Sequence, residues 1–474
     1  MMRFHSAAAS GPQSKIQNPK SKIGFAGASP RLCPSHRCTG AAAIAVLLAA
    51  GFVHGSPEIP GAPQDRPIAL IGGTIHPVSG ADIEGGTLVF EGGKLTAVGK
   101  DAALPANAEK IDVTGKHVYP GLIDAFTYLG LTEVSMVRAT NDHSETGRIN
   151  PNAKAQVAIN PDSELIPVAR SGGVLSVLSA PGGGLISGTS ALIQLDGWTW
   201  EEMALKPAVG VHVRWPQMAP LFTWWQEMTA QEQLQTRDKS LEEIHHAFDE
   251  ARAYLAARRA AGGDDSPHDY NARWEALAPV LEGKLPLVIE ADEIQQIQSA
   301  LAFAEREKIK VILSGGYDAP ECVDLLKKLD VPVIVGGVHR LPRRRDDAYD
   351  APFTVPARLH AAGVRFCIAS NERASMVRNL PYHAGVAAAY GLPPAEALKA
   401  ITLYAAQILG VGERLGSLEA GKDATLIVTT GDPLEAPSQL THAFIQGRRV
   451  ELNDRQKRLW EKYKEKYRRL DAAR

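Results

Sequence analysis

Cysteine is scarce in this chain, with four in 474 residues, at positions 33, 38, 322 and 367. No Cys-x-x-Cys occurs, which excludes a disulfide framework and a cysteine-built zinc site. Charge of one sign is also lacking. Lys and Arg number 51 against 53 Asp and Glu, a formal charge of −2, so no polybasic nucleic-acid binder is expected. Long apolar runs are missing too. The run from Ala41 to Val53 falls short of the roughly 20 residues that a stable membrane span needs. Also absent are His-x-His, His-x-x-x-His, the Gly-x-Ser-x-Gly elbow of serine hydrolases and the Gly-Lys-Ser/Thr ending of a P-loop. With 45% apolar residues, the chain is neither disordered nor collagen-like. At roughly 150 residues per domain it holds about three domains, or one large barrel with a smaller unit.

What is present begins with a basic stretch carrying Lys15, Lys20, Lys22, Arg31 and Arg37, the short apolar run, and small residues at Gly55 and Ser56. That order predicts a secretory signal over 1–55 and an exported chain, periplasmic or extracellular; a buried hairpin of the mature fold is the alternative. A Pro-rich linker follows over 56–66. Short β-type runs then alternate with Gly-Gly turns at 72–73, 85–86 and 92–93, and a similar texture returns at 424–429, 442–445 and 448–452. Such turns fit an antiparallel sheet. Between the two ends, short apolar runs alternate with helical stretches, as at Leu287–Ile289, Val311–Leu313, Val331–Val335 and Val364–Ala369. This alternation means a parallel sheet. The α/β expectation is therefore a (β/α)8 TIM-type barrel over 120–412 and a small β-sandwich from 67–119 and 413–452, with His117–Ile123 and Val174–Ser179 as early barrel strands. The segment 453–474 predicts an amphipathic helix with Leu459, Trp460, Tyr463, Tyr467 and Leu470 on one face. Docking of that face on the neighbouring domain is the expectation; contact with a membrane or nucleic acid is the alternative.

The motif Val118-Tyr-Pro-Gly-Leu-Ile-Asp124 carries a resemblance. So do Ile71-Gly-Gly-Thr-Ile75, Gly92-Gly-Lys-Leu-Thr-Ala-Val-Gly99, Ala397-Leu-Lys-Ala-Ile-Thr402 and Leu415-Gly-Ser-Leu-Glu-Ala-Gly-Lys-Asp-Ala424 followed by Gly431-Asp-Pro433. Over about 68–452 the chain resembles the amidohydrolase superfamily, in its imidazolonepropionase-like and exported group. The resemblance implies a split β-sandwich around a barrel and hydrolysis of carbon–nitrogen bonds other than peptide bonds. It also implies a divalent metal, often zinc, whose bound water attacks the scissile carbonyl. Five ligand positions follow from it: a His-x-His pair after the Gly-Leu-Ile-Asp motif, one His at each of two later strand ends, and a final Asp. This sequence has Phe126 and Tyr128, Glu290, Gly315 (Ser314 if the alignment slips one place) and Asn371 there. All five are substituted, so no metal cofactor is expected.

Other residues are candidates for the missing chemistry. His212 sits on a strand and reads as a hydrogen-bonded core histidine; His245-His246 reads as part of a solvated helix. His339 falls at the C-terminal side of a strand, where barrel enzymes keep their sites. The loop after it holds Arg340, Arg343 and Arg344 among three Asp, a clamp for an anion or a surface ion-pair network. Glu290 and Asp292 alternate along one stretch toward the barrel mouth, and Asp124 ends its own strand. The Gly-rich turn Ser179–Thr189 reads as a substrate-shaping loop. Three readings stand: a metal-free relative that binds a small-molecule ligand or pairs with an active paralogue; a divergent hydrolase, with a cyclic amide or dipeptide-like substrate, rebuilt from Glu290, Asp292, His339 and Asn371; and an interaction protein using its C-terminal helix. Homo-oligomers are compatible with each.

Overall fold

The computed structural model describes residues 58–222, 226–261, 270–371 and 373–472. The expected export segment lies outside them. Strands in the first part of the chain are Ile68–Ile75 (β1), Ile83–Glu91 (β2), Lys94–Gly99 (β3), Glu109–Asp112 (β4), His117–Pro120 (β5) and Leu122–Thr127 (β6). The middle part adds Val174–Ser179 (β7), Ile186–Thr189 (β8), Ala191–Gln194 (β9), Ala204–Lys206 (β10), Val211–Arg214 (β11) and Leu287–Ala291 (β12). Then come Val311–Gly315 (β13), Val333–Gly336 (β14), Phe366–Ala369 (β15), Leu426–Thr429 (β16), Leu440–Ile445 (β17) and Arg448–Arg449 (β18).

The β-rich ends form one eight-stranded sheet in the order β18-β17-β16-β5-β1-β2-β3, with β4 on β1. β1 pairs β4 along Ile68–Ile71 and β5 along Thr74–Ile75, so it serves two neighbours on one edge. Antiparallel pairing of β5 with β16, from Leu426↔Pro120 to Thr429↔His117, joins the two ends of the chain. A separate apolar cluster that includes Leu70, Leu88, Phe90, Leu426 and Phe444 packs this sheet.

His117–Ile123, expected as one barrel strand, is instead divided at Gly121. β5 stays in the eight-stranded sheet while β6 enters a four-stranded one, β10-β9-β7-β6. A Cβ at Gly121 would lie 2.8 Å from Leu175 Cδ1, so only glycine lets the crossing chain run that close to β7.

The remaining sheet has the order β15-β14-β13-β12-β11-β8. From β11 to β15 all pairs are parallel, and the helices Ile294–Glu307, Val323–Lys328 and Ala351–Ala361 connect successive strands. The first of these buries Ile297, Ala300, Leu301 and Ala304, spaced three and four apart as a one-sided apolar stripe requires. β8 and β9 are a single extended run interrupted only at Ser190. β8 lies antiparallel to β11, and β9 antiparallel to β7. The Gly-rich segment expected as a loop thus ends in a strand shared between two sheets. Ile123, Leu178, Leu192, Val288, Ile312, Ile334 and Cys367, from seven strands of these two sheets, meet in one buried cluster. Burying each such side chain contributes about 1.5–3 kcal/mol. Between the free edges, Ser370 just beyond β15 donates its N–H to Asp124 Oδ1 of β6 at 3.0 Å.

Between β11 and β12 the described residues include the helices Ala230–Ala260 and Ala272–Leu281. The helix Arg455–Ala472 does not dock its aromatic face: none of its residues is buried, and Trp460 and Tyr467 are 60% and 61% exposed. The body holds the helix by charge instead, through Arg458 on Glu164 at 2.8 Å.

Candidate functional site

The C-terminal ends of the parallel strands open into a cavity of about 590 Å³. Four of the five expected ligand positions line it: Phe126 from β6, Glu290 from β12, Gly315 from β13 and Asn371 beyond β15. Four positions far apart in sequence thus meet at one cavity, and their side chains are not those of the usual metal site. The fifth, Tyr128, is turned away from this lining. Its ring stacks on His143 at 4.4 Å.

Each substituted position has a local cause for its conformation. Phe126 is buried against the His212 ring, centroids 5.7 Å apart, and offers no donor. At Gly315, φ is +97°, and a Cβ would sit 2.9 Å from Asp292 Oδ1 and 3.1 Å from Ala291 O. No histidine fits there unless Asp292 moves. Asn371 has φ +83°, the left-handed region that Asn tolerates better than most residues. Glu290 is held by Arg214, Nε to Oε2 at 3.1 Å.

Asp292, just past β12, organises one side of the cavity. Its Oδ1 accepts from Tyr317 N at 3.1 Å and from Arg340 Nη1 at 3.4 Å, while Oδ2 accepts from Arg343 Nη1 at 2.8 Å. Arg343 also reaches Glu293 at 3.2 Å. Arg340 lies over the Tyr317 ring, 4.8 Å from its centroid. Arg340 and Arg343 line the cavity, but Arg344 does not. Arg344 is drawn to Asp318 and Asp347, and these carboxylates raise its already high pKa. The loop thus divides its work, two arginines facing the cavity and one tying the loop down.

His339 also falls outside the cavity lining. It stacks on His383 at 4.3 Å, and burial holds its pKa below the usual histidine value. His383 Nδ1 accepts the N–H groups of Val338 and His339 at 3.0 and 3.2 Å, so this ring fixes the turn after β14. Burial lowers the His383 pKa to about 3, as an imidazole used as an acceptor requires. The proposed set Glu290, Asp292, His339 and Asn371 is therefore only partly assembled.

His212 corrects the expectation of a hydrogen-bonded core histidine. It is fully buried, and neither ring nitrogen finds a hydrogen-bond partner among the described residues. Desolvation lowers its pKa to about 3, so it stays neutral. Asp124 is equally buried. Its carboxyl accepts from Ser370 N and Oγ and from Phe126 N, yet burial outweighs these bonds and raises its pKa to about 7.

Sequence reasoning missed Arg214, Trp215 and Arg237, which all line the cavity. Arg214 had a usable signal, since it follows His212 at the C-terminal end of β11. Trp215 Nε1 and Arg340 Nε are buried donors with no hydrogen-bond partner among the described groups.

The residues do not fit a zinc ion of the usual kind. Phe126 and Gly315 supply no donor, Tyr128 is not in the lining, and Glu290 is paired with Arg214. Among the described residues no three His, Cys, Asp or Glu side chains are grouped to hold a metal.

Comparison with known proteins gives these observations a family. The amidohydrolase family profile matches residues 319–450. The imidazolonepropionase of Acidiphilium cryptum (strain JF-5) is 26% identical over 77% of this chain and 93% of that protein. The amidohydrolase tasK of Hapsidospora irregularis is 22% identical over 76% of this chain, which spans only 39% of that longer protein. An amidohydrolase crystal structure from Thermotoga maritima MSB8 superposes with a TM-score of 0.72 and 25% identity, covering 81% of this chain and 99% of that one. Along most of its described length the chain is similar to amidohydrolase-superfamily proteins, imidazolonepropionases among them, and these matches support an imidazolonepropionase-like member of that superfamily.

Proposed function

We propose that this chain binds a small carboxylate-bearing ligand with an apolar body, and that it does not hydrolyse carbon–nitrogen bonds through a metal-bound water. The observation that carries the proposal is the exchange of donors at the cavity. Where the resemblance implies metal ligands, the lining has Phe126 and Gly315, and among the described residues it adds Arg214, Arg237, Arg340 and Arg343 beside two carboxylates, Glu290 and Asp292. Arginine presents a planar fork that matches a carboxylate with two hydrogen bonds. Phe126, Leu185, Trp215, Leu221 and Met228 supply apolar wall, in keeping with the mostly apolar lining and few polar anchors of small-molecule sites. The rebuilt-hydrolase reading is less well supported, because His339 lies outside the cavity lining that holds Glu290, Asp292 and Asn371.

The same reading takes the four- and six-stranded sheets as a closed TIM-type barrel, with β8–β9 as one antiparallel stave, and the eight-stranded sheet as the split sandwich. It keeps the ligand site at the mouth formed by the C-terminal strand ends.

Titration calorimetry with N-acetylphenylalanine and its carboxamide tests the proposal. The carboxylate should bind at least about tenfold more tightly, a difference of about 1.4 kcal/mol, and Arg343→Gln should remove most of that preference. Equal affinities would contradict the ligand class. Turnover of cyclic amides, N-acyl amino acids or dipeptides that depends on added zinc would contradict the non-hydrolytic part.

A further inference from the structure

The helix Arg455–Ala472 stands on the protein with its apolar side outward. At about 100° per residue, Leu459, Trp460, Tyr463, Tyr467 and Leu470 share an arc of about 100°, and each is exposed, from 41% for Leu459 to 61% for Tyr467. The contact with the body lies on the other side. Arg458, about 150° from the centre of that arc, pairs with Glu164 at 2.8 Å and approaches Glu58 at 3.8 Å. Asp454 accepts Lys457 N at 2.8 Å and so secures the first turn. The protein therefore presents the stripe rather than covering it.

The charges around the stripe are ordered. Arg455, Lys462 and Lys466 flank one edge, and Lys457 and Lys464 flank the other, which ends at Asp471, whereas Glu461 and Glu465 fall on the opposite face by the same helical geometry, where Glu465 pairs with Arg468 and Arg469. Lys464 lies over the Trp460 ring, 4.5 Å from its centroid, with its stem along the apolar side. A second copy of the helix laid on the stripe would meet basic residues along both edges, which like-charge repulsion disfavours. A layer that is apolar inside and anionic at its surface complements the pattern. Basic residues reach the headgroups, their stems cover apolar surface, and Trp and Tyr sit at the boundary.

We propose that the helix Arg455–Ala472 lies in the surface of an anionic phospholipid bilayer and docks the protein there. It does not span the bilayer: among the described residues no helix is long and apolar enough to do so.

Co-sedimentation of the full chain with vesicles tests this. Equimolar phosphatidylglycerol and phosphatidylcholine should bind at least about tenfold more protein than phosphatidylcholine alone, and binding should weaken as salt shortens the screening length. The triple variant W460S/Y463S/Y467S changes only exposed residues, so it should keep the wild-type melting temperature while losing most vesicle binding. The variant K462E/K464E/K466E should lose the preference for the anionic vesicles. Equal binding to both vesicle types, or wild-type binding by the aromatic variant, would overturn the proposal. A concentration-dependent dimer abolished by the aromatic variant would assign the stripe to a second copy. Binding to a single-stranded oligonucleotide without vesicle binding would assign it to nucleic acid. Either result would overturn the bilayer assignment.

Discussion

Asp124→Asn isolates the energetics of the carboxyl buried beneath the cavity. Asp124 has no exposed surface, and no cation offsets its burial among the causes that set its pKa, which rises from 3.8 to about 7. A raised native pKa means that the folded state holds the proton more tightly than the unfolded one. Stability from this group is therefore fully present below about pH 4 and is lost as pH rises through 7. Between pH 5 and pH 8 the loss is about 2.5 kcal/mol, from roughly 1.4 kcal/mol per pH unit while the native carboxyl is protonated and the unfolded one is not. Asparagine has nothing to titrate. The difference in unfolding free energy between wild type and D124N, from urea titrations, should shift by about that amount toward the variant on going from pH 5 to pH 8. Other titrating groups cancel in this double difference. A pH-independent difference would refute the reasoning, and a shift of opposite sign would mean that a cation keeps Asp124 ionised.

Three further outcomes follow from the packing. Gly121→Ala should destabilise by about 1–3 kcal/mol through overpacking, because its Cβ would lie 2.8 Å from Leu175 Cδ1; an unchanged urea midpoint would contradict the close crossing of β5 into β6. Arg170→Leu should cost about 1–3 kcal/mol in a urea titration by removing one partner from two buried carboxylates, since Arg170 pairs with Glu58 and Asp196, which then keep Arg458 at 3.8 Å and Arg448 at 3.2 Å as cationic partners among the described residues; a loss below about 0.5 kcal/mol would place those charges in water. The double variant F126H/Y128H should acquire no stoichiometric zinc on equilibrium dialysis, since Gly315 has no room for a further ligand. Tight zinc binding there would show that other donors reach the site.

The parallel strands from β12 to β15 were legible because apolar runs bounded by helical stretches leave one dominant pattern. The first half of the eight-stranded sheet was legible through its Gly-Gly turns, and the second through short β-type runs of similar texture. Gly121 was not read as a crossing point, because a strand that changes sheets keeps an unbroken apolar pattern. β8 was hidden for the opposite reason: Gly182, Gly183, Gly184 and Gly188 around it carry turn chemistry, and its pairing with β11 depends on residues distant in sequence. The four cavity positions are among those that the family resemblance implied. Nothing local to the sequence placed His339 against His383 or Arg344 on Asp318, since both contacts are made by loops folding back over strand ends.

Elemental mass spectrometry of the protein, purified after expression with zinc supplied, tests the central claim most directly. The account predicts well under one zinc per chain, with no change in stability on chelation. One zinc per chain, removed by a chelator together with hydrolytic activity, would contradict it.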